Sequence, residues 1–338
     1  MIVVAERSRS AAVERALRGL GLWTRCYAPS PRHLAPEDAA LGPEAGAPRE
    51  GERVSFHISP SSTHVARHLI EGVPGVVAIH EAESPHPLVD QMQRVVDVGG
   101  VSFGFGLPPV LIAGPCSVES PEQIDRLAAA VKEAGAHVLR GGVWKPRTSP
   151  RGFQGVGESA LAWLASAGKK HGLPVITEVV AEADVEAAAA VVDALQIGAR
   201  TMHSGALLRA VGAAGKPVLL KRAFAATLEE WLLAGEALLM AGASGVLFCE
   251  RGVRGPDGGT RNTLDVGAVA VLAHVHTLPV LVDPSHAAGR RDVVVPLGRA
   301  GLAAGACGVV VETHDRPEAA LSDAPQALAP AALRQLLL

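Results

Sequence analysis

From about residue 108 onward the chain repeats one unit: a short apolar run rich in Val, Ile and Leu, then a longer Ala-rich stretch of helical character. The apolar runs are Val110–Ala113, His137–Arg140, Pro174–Val180, Asp193–Gly198, Pro217–Lys221, Ser244–Cys249, Pro279–Asp283 and Cys307–Glu312. Near-continuous apolar strands, rather than alternating ones, indicate a parallel sheet buried on both faces. Between them lie helical stretches such as Pro121–Gly135, Ser159–His171, Thr227–Ala241 and Leu264–His276, with Ala331–Leu338 as the eighth. Several stop at a glycine (Gly135, Gly172, Gly215, Gly242, Gly305) where a left-handed C-terminal residue is needed. Eight strand–helix units predict a (β/α)8 TIM barrel over 108–338. A doubly wound open sheet is the alternative, but it requires no such count.

Residues 1–100 follow another pattern. Strands at Met1–Val4, Arg25–Ala28, Arg53–Ser59 and Gly75–Glu81, with helices at Ser10–Leu20 and Thr63–Glu71, give the order βαββαβ. That order suggests a small α+β ferredoxin-like domain. Its Pro29–Glu52 stretch has no periodicity and reads as a disordered insertion or linker, and residues 82–107 read as the connection to the barrel. The length of 338 residues suits this division, since barrels of this kind run to about 250 residues.

Composition narrows the function classes. With 48% hydrophobic residues the bulk of the chain can build a core. A net charge of -3 and 3% aromatic content give no footing for nucleic acid or a membrane surface. Four cysteines in so long a chain point to a reducing compartment. The start MIVVAERSRS lacks a signal-peptide layout, and the longest uncharged run, Val266–Val282, carries two histidines and a proline. A cytoplasmic location without a membrane span is expected.

Barrel enzymes place their chemistry at the C-terminal ends of the strands. Two groups of residues emerge there. Arg140, Lys145, Arg147, Arg200, Lys221, Arg222 and Arg251 form a cationic set on one rim. Arginine forks suit carboxylate and phosphate, so a substrate set with several anionic groups is expected. Taken singly, each could be a surface cation paired with a helix acid. The second set is Cys116, His286, Glu312 and Asp323, from strands one, seven and eight and the following loop, which barrel closure makes neighbours. A thiolate, an imidazole and two carboxylates suit a divalent metal such as Mn²⁺, Fe²⁺, Co²⁺ or Zn²⁺. Taken singly, Cys116 could be a small buried hydrophobe and Asp323 a helix cap. Glu250, Arg251 and Asp265 could equally form structural ion pairs. RGGVWKPRTSPRGFQGVGE could cradle a phosphate with its backbone amides, although it lacks the G-x-x-x-x-G-K-[ST] pattern of a P-loop.

The segments AGPCSVES, LRGGVWKPRTSP, FQGVGE, PVITEVV, LQIGAR, PVLLKR, EEWLLAGE, CERGVR, TRNTLD, VDPSHAAGRRD, VETH and LSDAPQ closely resemble those of 3-deoxy-7-phosphoheptulonate (DAHP) synthase, in its bacterial subtype with an N-terminal ferredoxin-like domain. The resemblance covers 108–338 almost without gaps and is weaker before that. It implies condensation of phosphoenolpyruvate with erythrose 4-phosphate, the entry step to aromatic amino acid synthesis. By motif, it implies Cys116, His286, Glu312 and Asp323 as metal ligands. It implies Arg140, Lys145, Ala199, Arg200, Lys221 and Arg251 for phosphoenolpyruvate, and Arg147 and Thr148 for the aldose phosphate. Lys145, Glu178 and His286 are the catalytic candidates, Lys145 as proton donor and Glu178 as a group orienting water. An aromatic amino acid effector and a homodimer or homotetramer follow from the same resemblance. The rivals are 3-deoxy-octulosonate 8-phosphate synthase, or another phosphoenolpyruvate-dependent sugar-acid synthase, and a non-catalytic barrel. The octulosonate enzyme carries KANRS where this chain has KPRT. The chain departs from the subtype at Thr201, His203 and Ser204, at Ala223 and at Ala324, and the Pro29–Glu52 stretch is unusual for the regulatory domain.

Overall fold

A computed structural model describes residues 1–27, 52–59, 62–81, 84–145, 151–256 and 258–337. The chain divides into two compact units, Met1–Ser84 and Pro85–Leu338. Most of the Pro29–Glu52 stretch lies outside the described residues.

In the smaller unit, β1 (Ile2–Glu6), β2 (Thr24–Tyr27), β3 (Arg53–Ile58) and β4 (Val76–His80) form an antiparallel sheet in the order β2-β3-β1-β4. Strand alternation puts Val3, Ala5, Val54 and Phe56 on one face. Val13 and Leu17 from helix Ser10–Gly19 and Ile70 from helix Arg67–Glu71 cover them.

The larger unit begins with residues expected as a mere connection. They instead form a helix (Pro87–Gln91) and a hairpin of β5 (Val95–Val98) and β6 (Val101–Gly104). The helix is anchored by a buried carboxylate: Glu236 accepts from the Leu88 and Val89 amides at 3.0 and 2.9 Å. Eight parallel strands follow: β7 (Val110–Gly114), β8 (Val138–Arg140), β9 (Val175–Val179), β10 (Ala194–Ile197), β11 (Pro217–Lys221), β12 (Gly245–Glu250), β13 (Val280–Val282) and β14 (Gly308–Glu312). They close into a barrel when β14 pairs with β7, Gly308 opposite Val110 and Glu312 opposite Gly114. Each strand sits on one of the eight apolar runs. No described helix is long and apolar enough to cross a membrane.

Every barrel strand sends at least one side chain inward, among them Val110, Ile112, Val138, Ile176, Ala194, Leu219, Leu247, Leu281 and Val310. Val96, Val98 and Phe103 of the hairpin join that inner core. A methyl on Gly245, the first residue of β12, would come within 2.9 Å of Val96, so the hairpin packs against the start of the strand. It therefore plugs the N-terminal end and leaves the C-terminal end open. Two helices differ from expectation. The stretch Leu264–His276 is helical only over Val266–Ala270 before widening into a π-turn at Val271–Val275. The last expected helix is a 3-10 segment, Pro330–Gln335, and Leu338 is outside the described residues.

Phe103 is fully buried. Phe103→Ala is expected to destabilise the larger unit by about 3–5 kcal/mol, the usual cost of deleting a buried ring. Urea unfolding followed by tryptophan fluorescence measures this, since Trp144, Trp163 and Trp231 all lie in that unit.

Candidate functional site

The site is built where β14 meets β7. The AGPC turn passes close against β8: a methyl on Gly114 would fall 1.9 Å from the Arg140 carbonyl oxygen. That close approach admits only glycine and delivers Cys116 to the barrel mouth. Opposite it, β14 ends on Glu312, and the following loop returns with Asp323 in a left-handed conformation, φ 53°. Cys116 Sγ lies 3.1 Å from Asp323 Oδ2 and 2.7 Å from Ser322 Oγ. Ligand atoms of Cys116, Glu312 and Asp323 all fall within 4.8 Å of one another. One sulfur and two carboxylates, mostly buried, make a donor set of net negative charge that fits a divalent cation. Burial pushes the Cys116 thiol up, and Glu312 and Asp323 push the same way against Lys145; a cation among these donors reverses that balance.

His286, expected as a fourth ligand, lies beside this group through Glu312, its Nε2 3.2 Å from Glu312 Oε1. Its other nitrogen is 2.7 Å from Asp283 Oδ2, and Asp283 Oδ1 accepts from the His286 amide at 2.9 Å. The same Asp283 Oδ2 accepts from Lys221 Nζ at 2.5 Å. Asp283 has no solvent exposure. Burial works to raise its pKa, but His286 and Lys221 outweigh that and hold it well below the carboxylate range. The sequence marked Asp283 only as a strand-end residue. Its signal was the spacing Asp-Pro-x-His, in which an aspartate caps a turn with proline at its first position and so faces the histidine.

Glu312 is the hub. It accepts from Arg140 Nη1 at 3.0 Å and from Gln326 Nε2 at 2.6 Å. Burial would raise its pKa; the charges of His286, Arg140 and Lys145 prevail and hold it well below the carboxylate range. Arg140, expected against substrate, meets Glu312 through Nη1 alone. Lys145 is buried, with Nζ donating to the Cys116 carbonyl at 3.1 Å. Burial lowers its pKa, but Cys116, Glu178 and Glu312 more than offset this and raise it, so the ammonium keeps its proton.

One cavity at the mouth is lined by Lys145, Glu178, Ala199, Arg200, Lys221, Arg251, His286 and Asp323, together with Phe224 and Arg261, which the sequence did not single out. Glu178 accepts from Gln196 Nε2 at 3.1 Å. Gly198 makes room for it, since a methyl there would sit 1.9 Å from Glu178 Oε1. Arg147 and Thr148 lie outside the described residues. Arg222 does not join the mouth. It donates to Glu250 at 3.0 Å and Asp265 at 2.9 Å and lies over Trp231. Successive strand residues point to opposite faces, so Lys221 turns inward and Arg222 outward. Cys249 and Cys307 are buried in the inner core, where they act as packing residues.

The model of the DAHP synthetase I family matches residues 80–338. A phospho-2-dehydro-3-deoxyheptonate aldolase of Thermotoga maritima is 44% identical over 281 residues, 82% of this chain and 83% of that protein. A 2-dehydro-3-deoxyphosphooctonate aldolase of Nitrobacter hamburgensis is 36% identical over 68% of this chain and 86% of its own. The crystal structure of a Thermotoga maritima DAHP synthase covers 99% of this chain and 94% of its own with a TM-score of 0.72 at 37% identity. The chain belongs to the DAHP synthetase I family.

Proposed function

We propose that the open mouth of this barrel condenses phosphoenolpyruvate with erythrose 4-phosphate. Family membership makes the chain an enzyme of the DAHP synthase type. The observation that carries the assignment of chemistry to residues is the juxtaposition, in one mouth, of a cation-lined cavity and the Cys116–Glu312–Asp323 donor set.

Cys116, Glu312 and Asp323, with His286 alongside, would hold a divalent cation, which when bound polarises the aldehyde oxygen of the aldose. Lys221, Arg200 and Arg251 hold phosphoenolpyruvate by its carboxylate and phosphate, and the Ala199 backbone shapes the same wall. Arg140 acts one step back, by fixing Glu312. Arg147 and Thr148 receive the aldose phosphate in this reading. C3 of phosphoenolpyruvate forms the new bond to the aldehyde carbon. Lys145, kept protonated, donates to the resulting alkoxide oxygen. Glu178 orients the water that adds at C2, and the C–O bond then breaks to release inorganic phosphate. His286, oriented through Asp283 and lining the same mouth, is read as the group that takes up the proton this water gives up.

The smaller unit is read as ferredoxin-like, from its element order and sheet order, and as the seat of an aromatic amino acid effector. A cytoplasmic homodimer or homotetramer completes this reading. The octulosonate alternative draws on relatives at 36% identity against 44%. Supplying erythrose 4-phosphate or arabinose 5-phosphate with phosphoenolpyruvate separates the two, and turnover confined to the five-carbon aldose would overturn the assignment.

Chelator-treated protein should lose condensation and regain it with Mn²⁺, Fe²⁺, Co²⁺ or Zn²⁺, and Cys116→Ala should not regain it. Lys145→Ala should lower kcat by about 10³-fold, within the range for removal of a general acid; a loss under tenfold removes Lys145 from that role. Asp283→Asn should weaken metal affinity by about 10–100-fold, the usual cost of losing the partner of a ligating histidine. Competition with a chromophoric chelator reads this without turnover.

A further inference from the structure

We infer that Phe224 is a positioning residue that gathers Arg251, Arg200 and Arg254 into one anion-receiving array at the mouth. This rests on the proposed function in taking the anion to be the phosphoryl group of phosphoenolpyruvate. It goes beyond that reading in adding Arg254 and in naming what holds the array. The guanidinium carbons lie over the Phe224 ring at 4.7 Å (Arg251), 5.5 Å (Arg200) and 5.6 Å (Arg254) from its centroid. The backbone ties the same elements together, since the Arg254 amide donates to the Phe224 carbonyl at 2.8 Å.

The charge accounting points to a ligand. Lys221 is neutralised by Asp283, Arg140 by Glu312 and Arg222 by Glu250 and Asp265. Among the described residues no carboxylate pairs with Arg200, Arg251 or Arg254. Arg251 is nevertheless 4% exposed. Burial lowers its pKa, and the charges of Arg261 and Arg200 lower it further against Asp283 and Glu250. Three like charges gathered on one ring, with no carboxylate in direct contact among the described residues, repel until an anion arrives. The negative face of the ring offsets part of that repulsion, beside the Gly252 carbonyl that accepts from Arg251 at 3.1 Å. Arg254 and Arg200 are exposed and Arg251 is buried, so the array grades from solvent into the cavity.

Calorimetric titration with inorganic phosphate, using the full-length wild type and its variants, tests the array directly. Phe224→Leu keeps an apolar side chain but removes the ring face, and should weaken phosphate binding about fivefold. It should raise KM for phosphoenolpyruvate by a similar factor, with kcat changed less than about twofold. Phe224→Tyr should restore both. Trifluorophenylalanine at Phe224 leaves packing intact and should reproduce the leucine effect, which a purely structural role would not. Arg254→Gln should cost about threefold in phosphate affinity with an unchanged melting temperature. Phosphate affinity unmoved by leucine and by ring fluorination overturns the inference, as does a wild-type protein that binds no phosphate. Phosphate binding that follows these expectations in a protein that fails to condense the two substrates would instead overturn the proposed function and leave the array standing.

Discussion

Two buried ion pairs joined by an imidazole run across the barrel mouth: Arg140–Glu312 and Asp283–Lys221, with His286 between the two carboxylates. Their members come from β8, β14, the turn after β13, and β11, so the network spans the top of the barrel. Such pairs add little net stability, because the cost of desolvating the ions cancels much of their attraction. Removing one member is another matter, since it strands its partner as an uncompensated charge at a cost of about 3–5 kcal/mol. The network therefore acts as a constraint. It fixes where Glu312 and His286 stand, and with them the donor group that includes Cys116 and Asp323.

The remaining cations gain their meaning from that arrangement. Asp283 and Glu312 absorb Lys221 and Arg140, which leaves Lys145 and the arginines around Phe224 as cations with no carboxylate partner among the described residues. A net charge of -3 over the whole chain concealed this. Acids elsewhere offset the total, while the field inside a low-dielectric mouth depends only on the groups lining it. The plugged N-terminal end sharpens the polarity, because Val96, Val98 and Phe103 leave the C-terminal mouth as the open end of the inner core.

Much of the barrel was legible because parallel strands buried on both faces must be apolar along their length. All eight runs became strands for that reason. The donor residues were legible because strand ends lead to the mouth and closure makes β14 and β7 neighbours. What escaped depended on facts that one-dimensional spacing does not carry. Lys221 and Arg222 are adjacent in sequence, but only the register Lys221 opposite Cys249 shows that Arg222 falls beside Glu250 on the outer side. The hairpin Val95–Gly104 is short, so its core role appears only against the barrel strands. Phe224 reads as one apolar residue in a loop until three guanidinium groups converge on it from two segments, the loops after β10 and β12.

The departures from the family pattern sit behind the site. Ser204 stands where the subtype has asparagine, and its hydroxyl accepts from the Leu207 amide at the start of helix Gly205–Ala213. Serine and asparagine are near equivalents in that capping role. Thr201 bonds back to the Gly198 carbonyl at 3.2 Å, keeping the turn that gives Glu178 its space. Ala223 is buried, and its amide donates to Met202 Sδ at 3.2 Å, so the added methyl lies on the packed side of the loop. Ala324 offers its carbonyl to Arg291 at 2.8 Å, which holds the loop just beyond Asp323. Four of the five changes keep a contact to the backbone around the mouth, nothing in the structure explains His203, and none replaces a side chain in the charge network. In this chain the changes fall where the fold asks for a backbone conformation or a cap, and the charged residues inside the barrel keep their counter-charges.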